Sequence, residues 1–138
     1  MTALKNASIN WMNRAELNKA HTKVFEAVSE VHSFLGPGLD NQVYKSALLH
    51  ELRHKGLLFK KDVVFPLSFK LFKVGELVIE VIIENSIILQ IIRETEITDL
   101  HVAGMQSKLK HTGLRMGIIV TFNTLNIIEG YRKVLFNQ

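Results

Sequence analysis

The chain contains no cysteine, which excludes a disulfide framework and any thiolate metal site. It also lacks an apolar run of membrane-spanning length. The longest candidate, Leu77–Ile92, is interrupted by Glu80, Glu84, Asn85 and Gln90, whereas a bilayer span needs about 20 mostly apolar residues. The opening residues MTALKNASINWMNRAELNK do not follow the charged-then-apolar layout of a secretory signal. No membrane association is expected, and the expected location is cytoplasmic. Internal repeats, low-complexity tracts and linkers are absent. So is a large excess of either charge: the net charge is +4, with a pI near 9.4. That mildly basic balance permits contact with nucleic acid without demanding it.

What is present is the material of one globular domain. With 138 residues, 47% hydrophobic and 22% charged, the chain has enough length for one core and too little polarity for disorder. Residues 1–14 show no periodicity and read as a flexible N-terminal arm, leaving 15–138 as a single domain. Between Glu16 and Leu35, the residues Leu17, Val24, Val28, Val31 and Leu35 form one helical stripe, with Phe25 and Phe34 beside it. Gly36-Pro37-Gly38 stops that helix. Asp40 is the expected N-cap of a second helix that buries Val43, Tyr44, Ala47, Leu48 and Leu52. This helix ends at Gly56 after a basic turn, Arg53-His54-Lys55, suited to the negative end of the helix dipole.

Beyond Gly56 the period changes to that of strands. From Pro66 onward Leu67, Phe69 and Leu71 fall on one side, and Lys73-Val74-Gly75 reads as a turn. The stretch LVIEVIIENSIILQIIRETE, residues 77–96, gives two apolar strands joined by Glu84-Asn85-Ser86, with Asn85 suited to a positive φ. Strands so uniformly apolar are covered on both faces. Residues Thr98 to His111 fit a third helix carrying Leu100, Ala103, Met105 and Leu109, and MGIIVTF and IIEGYRKVLF close the chain as strands. The expected fold class is α/β, with a mixed central sheet of about five strands flanked by helices.

Two polar residues stand out in the apolar strands, Glu80 and Gln90. Both are expected to be buried, and a buried polar group needs a partner. They would bond each other, or Glu80 would be held protonated or paired with His101. Elsewhere, His50, Glu51 and His54 spell H-E-x-x-H, which in zinc peptidases places two ligands on one helical face with a glutamate as base. No third ligand follows in a recognisable context, and the segment reads as an ordinary helix end.

The segment EVHSFLGPGLDNQVYKSALLHELRHKGL resembles the opening of the GxxExxY proteins, a compact branch of the PD-(D/E)XK nuclease superfamily. LKHTGLRMGIIVTF is similar to that family's later helix and strand, and the likeness runs from about residue 20 to 136. The resemblance implies a restriction-endonuclease-like core and a divalent-metal site. In that site a strand acid and a Glu-x-Lys on the next strand are supported by a helix glutamate and a glutamine. Mg²⁺ takes hard oxygen ligands, commonly one or two carboxylates completed by phosphate and water, and the lysine stabilises developing charge. Carried onto this chain, the helix glutamate falls at Asn41, inside Gly38-x-x-Asn41-x-x-Tyr44. The strand acid falls at Glu80, the Glu-x-Lys at Gln90 and Ile92, and the glutamine at Gly104, with Gln106 two residues on. His101 matches the family's histidine.

By this correspondence one carboxylate remains, too little charge to hold Mg²⁺ well. Ile92 has no proton to give or take. Removing one preorganised electrostatic partner typically lowers a rate ~100- to 1,000-fold, and several such losses should end useful catalysis. No catalytic residue and no cofactor are expected. The expected function is a non-catalytic binding module associated with nucleic acid or a ribonucleoprotein. Its candidate phosphate contacts are Arg53, Lys55, Lys60 and Lys61 near the second helix's end, and Lys108, Lys110, His111 and Arg115 near the third's. A first alternative is a protein-interaction subunit or homodimer docking through FPLSFKLF and LNIIEGYRKVLF. A second is an active Mg²⁺-dependent nuclease with Glu80 and Glu94 as ligands. It requires the strand to continue so that Glu94 and Glu96 share the face of Gln90, with Arg93 pointing away.

Overall fold

The structure, a computed structural model, describes residues 12–137. Helix α1 (Arg14–Leu35) opens on a capping box. Asn13 Oδ1 accepts from the Glu16 amide at 2.8 Å, and the Glu16 carboxylate accepts from the Asn13 amide at 2.9 Å. The helix therefore begins inside the segment expected to be an arm, and Met12 packs on the core; the remainder of that arm, residues 1–11, lies outside the described residues. Gly36, with φ 76°, ends α1. Asp40 takes the N-cap position of α2 (Asn41–His54) without a side-chain cap bond.

Strands β1 (Phe59–Phe69) and β2 (Phe72–Ile83) form a long hairpin, and β3 (Ile87–Ile92) pairs antiparallel with β2. Helix α3 (Asp99–Thr112) crosses back to β4 (Met116–Thr121), parallel to β3, and β5 (Tyr131–Leu135) closes the far edge antiparallel. The order β1-β2-β3-β4-β5 makes a mixed five-stranded α/β sheet. Helices α1 and α2 cover one face over Val81, Ile83, Leu89 and Ile118. The second face holds Ile82, Ile88, Ile119 and Val134 under Met105 and Leu109 of α3. This two-sided cover is why β4 is buried at every position.

Three local expectations are corrected. The β1–β2 turn lies at Lys70-Leu71, with Lys70 at φ 56°, while Lys73-Val74-Gly75 belongs to β2 beside a register shift at Leu67/Ser68. Phe69 and Leu71 are consequently exposed at the hairpin tip. Val43 and Leu100 also face solvent, because α2 and α3 turn other stripes inward. At the β2–β3 turn Asn85 has the expected positive φ, and Glu84 shares it. The Glu84 carboxylate accepts from the Leu58 amide at 2.6 Å, tying this turn to the start of β1.

The third correction matters for function. Glu80 is not buried: its side chain is 61% exposed. Two residues apart on one strand normally share a face, yet Ile79 belongs to the core under α3 and Val81 to the core under α1 and α2. Alternation breaks at Glu80, opposite the stretch where Asp62 of β1 adopts φ 53°. Asp62 and Glu80 drop out of the β1–β2 ladder there, and Glu80 lines a cleft.

Candidate functional site

The cleft is built from both sides of the sheet. On one side, Tyr44 Oη donates to the Gly36 carbonyl at 2.6 Å, accepts from the Leu39 amide at 3.0 Å, and stacks on Phe122. Gly38, at φ 89°, gives the loop a backbone shape that side chains disfavour. This clamp sets the start of α2, where Asn41 Nδ2 donates to the Ile91 carbonyl at 3.5 Å. Lys45 follows one turn later on the same helical face, and its Nζ lies 3.9 Å from Glu80 Oε2.

On the other side, Lys108 of α3 donates from Nζ to Gln90 Oε1 at 2.8 Å. Burial lowers the pKa of this ammonium, and the nearby Glu80 carboxylate partly opposes the shift. Glu80 thus lies between lysines from helices on opposite faces of the sheet.

The third wall comes from the end of β3. Thr121 Oγ1 donates to the Glu94 carbonyl at 2.6 Å and Asn123 Nδ2 to the Arg93 carbonyl at 3.5 Å. The chain after Ile92 therefore leaves the strand, and both Arg93 and Glu94 line the cleft. His101 Nδ1 accepts from the Thr98 amide at 3.0 Å, completing the cap of α3. That bond places the ring proton on Nε2, which faces Glu94 Oε1 at 3.6 Å. The resulting hollow of about 370 Å³ shares Glu80, Gln90 and Ile91 as lining residues with a second of about 270 Å³.

Residues 18–134 match the PD-(D/E)XK nuclease superfamily. The chain belongs to that superfamily. A comparison with curated proteins finds no match, and one with solved structures finds none either. In PD-(D/E)XK nucleases the fold implies a divalent cation, and the donor set here is unlike one for Mg²⁺. Two carboxylates, Glu80 and Glu94, each have a basic partner already, and three basic side chains, Lys45, Arg93 and Lys108, surround them. Among the described residues no group of three or more His, Asp or Glu converges as a metal holder. That includes His50 and His54, both exposed on α2.

Of the residues singled out in the sequence, Asn41, Glu80, Gln90, Ile92, Glu94 and His101 all line the cleft. Their pairings differ from expectation. Gln90 bonds Lys108 and not Glu80, Glu80 meets Lys45, and His101 faces Glu94. Arg93 does not point away, because β3 stops one residue earlier. Ile92 is part of the core beneath α3. Gly104 has open space around it. Gln106 brackets the end of β5, bonding the Leu135 carbonyl and the Asn137 amide, and takes no part in the cleft.

The basic candidates do not form one surface. Arg53 lies over the Phe59 ring, Lys55 pairs with Glu26 at 3.7 Å, and both belong to the α2 side. Lys60 and Lys61 sit exposed on β1, Lys110 is exposed at the end of α3, and Arg115 bonds the Met12 carbonyl. Lys108, expected among solvent-facing helix-end contacts, is drawn into the cleft. Sequence reasoning missed Lys45 altogether. Its spacing of four from Asn41, like that of Lys108 from Gly104, was the available signal. Among the described residues no helix is long and apolar enough to cross a membrane.

Proposed function

We propose that this PD-(D/E)XK protein is a non-catalytic nucleic-acid-binding module of the GxxExxY type, whose cleft holds a phosphate backbone without cutting it. The observation that carries the reading is the 2.8 Å bond from Lys108 to Gln90. The position that the resemblance gives to a metal-binding glutamate holds a neutral amide, and an ammonium already engages it. The retained parts of the motif support the same view. Gly38 and Tyr44 shape and clamp the loop before α2, a structural task, whereas the position between them that would carry the functional acid is Asn41.

The test is fluorescence anisotropy of labelled DNA and RNA, single- and double-stranded, across a salt series, with cleavage gels run in Mg²⁺ and Mn²⁺. Binding that weakens steeply with salt, without cleavage, is the expected result. Metal-dependent cleavage lost in Glu80→Ala would favour an active nuclease using Glu80 and Glu94. Failure to bind any nucleic acid would overturn the reading.

A second reading follows from the β1–β2 hairpin tip, where Phe69, Leu71, Phe72 and Val74 are exposed, Leu71 at 99%. Contiguous apolar surface of this kind favours a protein partner or a second copy of the chain. Association there would be largely insensitive to salt, in contrast to phosphate binding.

A further inference from the structure

A metal-dependent nuclease borrows its positive charge from solution; this cleft carries its own. Lys45 arrives from α2 and Lys108 from α3, on opposite faces of the sheet, and the two flank one carboxylate, Glu80. We infer that the ammonium groups of Lys45 and Lys108 stand in place of a divalent cation, holding phosphate oxygens directly and excluding metal from the cleft.

The inference rests on the proposed nucleic-acid reading for its ligand, and on three features of the site for its substance. The first is anchorage. An ammonium has three donors, and the bond to Gln90 Oε1 uses one of them while fixing the direction of the side chain. The remaining donors of Lys108, and those of Lys45 at 3.9 Å from Glu80, are available to anionic oxygens. The second is charge. Glu80 and Glu94 are outnumbered by Lys45, Lys108 and Arg93, so an entering phosphate diester meets a net positive cleft and a dication meets repulsion. The third is the role of Glu80. Burial disfavours the Lys108 ammonium and the Glu80 carboxylate favours it, so the acid that would have ligated a metal serves to keep a lysine charged.

Mn²⁺ alone is the probe for the exchange of ion for lysine. It is titrated into isotope-labelled protein while the amide signals of Glu80, Gln90 and Ile91 are followed. Those signals are expected to stay sharp in the wild-type chain and to broaden selectively in a Lys45→Gln/Lys108→Gln variant, where Glu80 is released from its two lysines. Selective broadening in the wild type at the same Mn²⁺ concentration would overturn the inference. So would a folded double variant whose cleft signals remain sharp, because the lysines would then not be what excludes the ion. If the double variant fails to fold, Lys45→Gln alone carries the same comparison, since the ion pair it gives up, at 3.9 Å to a largely exposed Glu80, contributes little to stability.

The second arm measures oligonucleotide affinity in EDTA and in Mg²⁺. Equal affinities are expected, with the double variant weaker and its salt slope flatter by about two phosphate contacts. Binding that appears only with Mg²⁺ would overturn the inference. An oligonucleotide that binds under neither condition would overturn the nucleic-acid reading and the phosphate half with it. The Mn²⁺ arm would still decide whether the lysines replace the ion.

Discussion

Lys108 Nζ reaches Gln90 Oε1 at 2.8 Å, joining α3 to β3 across eighteen residues of chain. The bond fastens a helix to the sheet at the lip of the cleft and gives a half-buried ammonium its acceptor.

Replacing Gln90 by leucine removes that acceptor while keeping bulk. The ammonium can partly turn to water, so a loss of about 1 kcal/mol is expected, at the low end for a hydrogen bond to a charged group. The pKa of Lys108 should fall further. Urea denaturation reads the first effect and side-chain NMR titration of Lys108 the second; an unchanged midpoint together with an unchanged titration would show that the bond is idle.

Tyr44→Phe keeps the stacked ring and deletes the hydroxyl that bridges Gly36 and Leu39. Tyr44 is 1% exposed, so water does not readily replace it. The variant should be less stable by about 1–3 kcal/mol and should weaken oligonucleotide binding through a looser start of α2. Equal stability would mean that the Gly36–Leu39 turn holds itself.

Gly117 of β4 lies where an added methyl group would overlap Met105 of α3. Gly117→Ala is expected to lose about 1–3 kcal/mol by overpacking. In a double-mutant cycle with Met105→Ala the double variant should lose less than the sum of the two single losses, because the shorter side chain makes room for the methyl. Strict additivity would place the strain elsewhere.

His21 links α1 to β5, with its Nδ1 2.8 Å from Tyr131 Oη. Burial, and secondarily the charge of Lys133, lower its pKa below the ordinary 6.5. The unfolded chain therefore takes up a proton at a higher pH than the folded one. Its stabilising contribution is complete above pH 6.5 and is lost as the pH falls through the lower folded-state value. Urea midpoints measured across that window should decline toward acid, and His21→Gln should show a shallower decline than the wild type. Parallel profiles would assign the slope to other groups.

The order of helices and strands was legible because burial imposes a period on the chain. The stripe of Leu17, Val24, Val28 and Val31 marks α1, and the unbroken apolar run of β4 marks a strand covered on both faces. Helix ends were legible where glycine must take a positive φ, at Gly36 and Gly56. The superfamily was legible for the same reason: a spaced set of residues around one loop and one helix survives in the sequence.

What the local pattern does not carry is which side chains meet. Glu80 looked buried because its neighbours Ile79 and Val81 are apolar, but those neighbours face opposite cores, and the ladder skips the Asp62/Glu80 pair where Asp62 adopts its positive φ. Lys108 read as a phosphate contact near the third helix's end, and Lys45, on a separate helix, was not singled out. Only the packing of α2 and α3 on the two sides of one sheet, with long flexible side chains reaching over its end, brings them to the same carboxylate. Periodicity is a property of neighbours along the chain. Convergence in the cleft depends on register, helix placement and strand curvature, and these are decided by the whole core at once.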